Sequence, residues 1–131
     1  MVGIVILNYN SWADTVACVD SIHEAEKKLE FRIYLVDNCS PVRPEPGILE
    51  SLDKSGVVFI QNERNAGYSA GNNIGIKRAL EDGCEEVLIS NSDVRYETGS
   101  ISELQTYLQA HPDVGIVGPK IFLRDGSIQK A

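Results

Sequence analysis

The sequence predicts an α/β fold in three layers, α/β/α, with a mostly parallel sheet held between helices. Two patterns and the chain length carry that reading. Short apolar runs rich in β-branched residues, "VGIVIL", "RIYLVD", "VVFIQ" and "EVLISN", recur along the chain, as strands covered on both faces do. The segments between them place apolar residues at helical spacing, so strand and helix alternate. The 131 residues are one domain's worth, enough for a single core, and they hold no internal repeat, low-complexity tract or flexible linker.

Taken in order, the first strand covers Val2 to Leu7. Trp12, Val16, Val19, Ile22 and Leu29 then mark a helix of about four turns, with the charges of "EAEKKLE" read as its solvated face. "RIYLVD" is the second strand, ending at Asp37. "NCSPVRPEPG" holds three prolines in ten residues and must be loop, ahead of a short helix over Ile48 to Lys54. "VVFIQ" is the third strand, and a long helix runs from about Ser69 to Glu81. "EVLISNSD" gives a fourth strand ending near Asn91. Ile101, Leu104, Tyr107 and Leu108 mark a fourth helix, closed by His111 and Pro112. "VGIVGPKIFL" reads as a fifth strand, and "RDGS" as a turn opening a hairpin. Trp12 and Tyr107 are expected in the core. His23 and His111 are expected at the surface, without partners that suggest catalysis.

Composition narrows the function. A formal charge of -7 disfavours a surface built to neutralise phosphate backbones, which excludes DNA and RNA as expected partners. No apolar run approaches the roughly 20 residues of a membrane span. The amino terminus has neither a basic leader nor a small-residue cleavage site, so the expected location is the cytoplasm. Cys18, Cys39 and Cys84 are an odd number without paired metal-ligand spacing and read as free thiols in a reducing compartment.

In open parallel sheets ligands bind outside the carboxyl ends of the strands. Here those ends read "NYN", "DN", "NERNAG" and "NSD". A single Asp at such a place is ordinarily a helix cap or loop anchor; four polar clusters on one rim suggest a site. The stretch "NERNAGYSAGNNIG" adds glycines where a helix begins. Gly71 and Gly75 lie four apart on one helix face, and each costs about 1 kcal/mol relative to alanine inside a helix. Close packing on the sheet is one explanation, weighed for Gly75. Bare N–H groups offered to a phosphate are the other, favoured for Gly67, Ser69 and Gly71. The spacing is not the dinucleotide fingerprint, and no Walker A lysine follows.

"VILNYN", "YLVDNCS", "NERNAGYSAGNNIGI" and "LISNSDV", in this order and over nearly the whole chain, resemble the nucleotide-binding half of family 2 inverting glycosyltransferases. Within that family the likeness is to the rhamnosyltransferase-like branch. The resemblance implies a GT-A fold, a Rossmann-like half that binds a nucleoside diphosphate sugar, here a UDP- or dTDP-sugar. It places Leu7, Asn8 and Tyr9 at the base, with Asp37 meeting the base as well. A carboxylate can accept the N3–H that uracil and thymine present between two carbonyls; guanine has donors too. Residues Asn65 to Asn73, including Gly67 and Asn72, would close over base and ribose. Asn91 and Ser92 would lie near ribose and diphosphate, and Asp93 would hold Mg²⁺ or Mn²⁺. Asn91 stands where many members have Asp, so one carboxylate must share the metal with substrate phosphates and water.

The resemblance also implies an acceptor hydroxyl, saccharide or lipid-linked, attacking from the opposite face with a carboxylate base further downstream. None of Glu97, Glu103, Asp113 or Asp125 has the setting of that base, so no catalytic residue is assigned. Residues 1–131 are expected to be one donor-binding domain and part of a longer enzyme of cell-surface polysaccharide synthesis, peripheral at the inner face of the membrane. The fragment is expected to self-associate through an uncovered edge or apolar patch. The competing reading is a non-catalytic, receiver-like α/β domain; "LNYN" and "IQNERN" lack the carboxylates that a receiver needs after its first and third strands.

Overall fold

The computed structural model describes residues 1–130. Four strands form one parallel sheet: β1 (Val2–Asn8), β2 (Phe31–Asp37), β3 (Val58–Gln61) and β4 (Glu86–Asn91). They alternate with α1 (Trp12–Ala25), α2 (Ile48–Lys54), α3 (Tyr68–Glu81) and α4 (Ser100–Ala110). The spatial order is β3-β2-β1-β4. A receiver domain runs 2-1-3 through its first three strands, so the receiver-like alternative does not fit this topology.

The pleat of β1 and β2 divides the interior in two. Val2, Ile4 and Ile6, with Ile33 and Leu35, face α1, α2 and α4 through Trp12, Cys18, Val19, Ile22, Leu52 and Ile101. Val5, Tyr34 and Val36 face α3 through Ala79 and Cys84. Both faces of the central strands are thus apolar and covered, which is why their sequences read as unbroken apolar runs.

The glycines of α3 fit against this second face. A Cβ on Gly75 would come to 2.5 Å from Val5 Cγ1 and 3.0 Å from Val36 Cγ2, and one on Gly71 to 2.5 Å from Leu7 Cδ1. The close-packing reading therefore holds for Gly75. It also replaces the phosphate reading for Gly71, whose bare Cα lets the first turn of α3 lie on the end of β1. Gly67 has a different reason: it precedes α3 with φ of +93°, a conformation that costs a side-chain-bearing residue energy.

Several expectations fail for local reasons. "VGIVGPKIFL" forms no strand among the described residues: only Phe122 and Ile128 pair, in an antiparallel bridge, and Ile116 is 91% exposed. A strand needs a neighbour for its N–H and C=O groups, and Gly115, Gly118 and Pro119 interrupt this run. The hairpin at its end does form around "RDGS", with Asp125 Oδ1 accepting from Ser127 N at 2.9 Å.

Tyr107 is exposed and stacks on His111 instead of entering the core. Glu26, expected on a solvated face, is buried. Its Oε1 accepts the N–H groups of Ile101 and Ser102 at 2.7 and 3.2 Å, capping α4 from a distant part of the chain at a helix end that favours negative charge. His23 is half-buried, with its ring 5.4 Å from that of Phe31 and Nε2 without a partner.

Candidate functional site

The order β3-β2-β1-β4 reverses direction at β1, so the switch point lies between the carboxyl ends of β1 and β4, where open α/β sheets leave a crevice for ligands. Register brings the polar strand ends side by side. Asn8 stands opposite Asp37, Asp37 opposite Gln61, and Leu7 opposite Asn91. The backbone ladder continues one step past the strands, with Asn38 N donating to Asn8 O and Asn62 N to Asp37 O, both at 2.9 Å.

Side chains tie the four loops together. Asn8, fully buried, donates through Nδ2 to Asp37 Oδ1 at 2.9 Å, while its Oδ1 accepts from Thr15 Oγ1 at 2.8 Å and Ser11 Oγ at 3.3 Å. Across the crevice the hydroxyls of Ser11 and Ser92 lie 3.0 Å apart. On the other side Gln61 Nε2 donates to Asp37 Oδ2 at 2.8 Å. A hydrogen-bonded chain thus runs Ser92, Ser11, Asn8, Asp37, Gln61 and touches the end of every strand.

Asp37 is 2% exposed, and a buried carboxylate is tolerated only when its lone pairs are engaged. Ser40 supplies the rest of its shell, with Oγ on Oδ1 at 2.5 Å and N on Oδ2 at 3.1 Å. The loop after β2 is further pinned by Asn10 N to Ser40 Oγ, Val42 N to Asn10 Oδ1, and Trp12 Nε1 to Val42 O. Asn10 and Cys39 hold positive φ of 58° and 62° here. The loop after β3 is latched by a second amide chain. Asn62 Nδ2 donates to Asn38 Oδ1, Asn38 Nδ2 to Asn65 Oδ1, and Gly67 N to Asn65 Oδ1.

The residues singled out from sequence distribute as follows. Leu7 is half-buried under α3, and Tyr9 projects at 49% exposure. Asn65 and Gly67 sit in the latched loop. Asn72 is buried, with Nδ2 on Tyr68 O and Oδ1 unpartnered. Asn91 accepts from Tyr68 OH at 3.0 Å, so Tyr68 reaches over the end of β4. Ser92 faces Ser11, and Asp93 is exposed with no hydrogen bond or ion pair to its carboxylate among the described residues.

Sequence reasoning put Asn38 and Asn62 in the polar clusters of the rim without giving them a role, and missed Ser11, Ser40 and Gln61. The signal for those three was position alone, three residues past a strand or at its last residue. Beneath the end of β4, burial pushes the Cys18 thiol up in pKa, and its Sγ lies 3.7 Å from Asn91 O. Two shallow depressions lie away from the rim, one lined by Asp20, His23, Glu24 and Ser55 and one between β4 and α4.

Among the described residues no three His, Cys, Asp or Glu side chains converge as a preformed metal cage. Asp93 with the neutral oxygens of Asn91 and Ser92 is a hard-oxygen donor set. It suits a divalent cation whose other ligands come from substrate and water.

Comparison with known proteins agrees with this geometry. The glycosyl transferase family 2 profile matches residues 3–129. The low-salt glycan biosynthesis hexosyltransferase Agl10 of Haloferax volcanii is 30% identical over 125 residues, covering 95% of this chain and 38% of that protein. Residues 1–349 of S. aureus TarS in complex with UDP superpose with a TM-score of 0.70 at 20% identity, over 96% of this chain and 43% of that one. The mannosyltransferase PcManGT from Pyrobaculum calidifontis, in complex with GDP-Man and Mn²⁺, gives 0.67 at 16% identity, over 82% and 32%. The chain thus spans well under half the length of these relatives. Its sheet and helices have the GT-A arrangement, and by the profile match over almost its entire length the chain belongs to glycosyl transferase family 2.

Proposed function

We propose that this chain is the donor-binding part of a glycosyltransferase, holding a nucleoside diphosphate sugar along the rim formed by the loops after β1, β2, β3 and β4. The observation that carries the reading is the hydrogen-bonded chain from Ser92 through Ser11, Asn8 and Asp37 to Gln61, which fixes all four loops around one crevice. TarS with UDP and PcManGT with GDP-Man and Mn²⁺ support a nucleotide sugar and a divalent metal as ligands here.

In this reading the base lies against Leu7, Asn8 and Tyr9 with its imide N–H toward Asp37, and a uridine or thymidine diphosphate sugar is the donor class. The ribose and diphosphate pass Asn65, Gly67 and Asn72 toward Asn91 and Ser92. Asp93 would hold Mg²⁺ or Mn²⁺, which when bound neutralises charge on the departing diphosphate. The acceptor is a saccharide or lipid-linked hydroxyl, bound by segments other than this rim.

Calorimetric titration of UDP, dTDP and GDP with and without Mn²⁺, on wild type, Asp37→Ala and Asp93→Ala, tests the proposal. The expected result is metal-enhanced binding that Asp93→Ala makes metal-independent and whose base discrimination Asp37→Ala erodes. Absence of binding by every diphosphate, with or without Mn²⁺, contradicts it.

A further inference from the structure

The carboxylate assigned to the base is already saturated. Asp37 Oδ1 accepts from Asn8 Nδ2 and Ser40 Oγ, and Oδ2 accepts from Ser40 N and Gln61 Nε2. A carboxylate offers about four lone-pair sites, so a fifth donor has no place to land. One of these four must give way if a base is to reach it.

The four donors are not equally free to leave. Asn8 is fully buried, and turning its carboxamide would also break its bonds from Thr15 and Ser11. Ser40 is held three residues from Asp37 in a turn, and its hydroxyl also accepts from Asn10 N. Gln61 differs from both. It is the last residue of β3 at the edge of the sheet and is exposed. Its Nε2 also contacts Asn62 O at 3.2 Å, while its Oε1 has no partner among the described residues. A glutamine there can rotate into water with its own carboxamide solvated, whereas Asn8 turned away from Asp37 would keep its carboxamide buried and unpaired, and Ser40 is tied by the turn.

We infer that Gln61 is the gate to Asp37: its carboxamide caps Oδ2 in the empty rim and is exchanged for the imide N–H of the incoming base. The inference rests on the donor-site reading above and extends it to how the base is selected. Exchange trades one N–H donor for another, so it adds little affinity by itself and acts as a filter. Uracil, thymine and guanine carry a ring N–H able to take the place of Nε2. Cytosine presents a bare ring nitrogen at the same position, an acceptor facing a carboxylate, and leaves Gln61 where it is.

The test compares UDP and CDP on wild type and Gln61→Ala by calorimetry at fixed Mg²⁺, with circular dichroism to check that this surface variant is folded. Removing the competing amide should tighten UDP about five-fold, the net worth of one hydrogen bond, while CDP does not change. In wild type the Gln61 side-chain amide resonances should move on adding UDP and stay fixed on adding CDP. Equal shifts in UDP and CDP affinity, weaker UDP binding, or no change would each overturn the gate. If wild type binds neither nucleotide, the donor-site reading falls and the gate with it; UDP binding indifferent to Gln61→Ala removes the gate alone.

Discussion

Asn8 and Asp37 stand opposite one another in the parallel register of β1 and β2, and the buried Asn8 amide donates to the buried Asp37 carboxylate at 2.9 Å. Side chains of adjacent parallel strands that point the same way at the same rim are forced into contact. This pair joins the loop after β1 to the loop after β2, and through Ser11 and Gln61 it reaches the other two.

Asn8→Ala should destabilise the protein by about 2–3 kcal/mol, because it leaves a buried carboxylate short of a donor and strips Thr15 and Ser11 of their acceptor. Urea denaturation followed by circular dichroism reads this. A loss under 0.5 kcal/mol would mean that the pair does not hold the rim.

Gly75→Ala should be more damaging than Gly71→Ala, although both gain helix propensity. At Gly75 the new methyl meets Val5 and Val36, stiff β-branched side chains fixed in the sheet. At Gly71 it meets the tip of half-buried Leu7, which can move aside. Expected losses are about 2 kcal/mol for Gly75→Ala and under 1 kcal/mol for Gly71→Ala, from the same denaturation series; the reverse order would contradict the packing account.

Acid sensitivity should trace in part to Asp82 at the far end of the sheet. Arg78 foremost, then the Tyr34 hydroxyl and Arg32, hold its carboxyl below the ordinary carboxylate value, against some opposition from burial. A group lowered on folding contributes stability above its unfolded pKa, near 4, and loses that contribution as pH falls through the folded value. Asp82→Asn should therefore flatten the fall of stability below pH 4 and leave its slope near neutrality unchanged, as read by denaturation midpoints across pH 2–7.

How far the fold was legible in sequence depended on how local its causes were. β1 and β2 announce themselves because both faces are buried, and α1 and α3 because their spacing is helical. The run from Val114 to Leu123 misled because its apolar, β-branched composition matches a strand while nothing in its own residues says whether a partner lies alongside. Glu26 was invisible for the same reason: its charge fits a solvated helix end, and only the arrival of α4, some 75 residues later, makes it a cap. At the rim the strand ends were readable as polar clusters. The division of labour within each cluster was not, since the contacts of Asn38 with Asn62 and of Asp37 with Gln61 arise from sheet order.

The central claim is that four loops form one nucleotide-binding rim, and backbone amide shifts in a ¹⁵N-labelled sample titrated with UDP and Mg²⁺ test it most directly. The expected shifts fall together on residues 8–11, 37–40, 61–68 and 91–93, with Glu30, Cys84 and other residues at the amino ends of the strands unmoved. Shifts confined to one of these loops, or centred on the opposite end of the sheet, would contradict it.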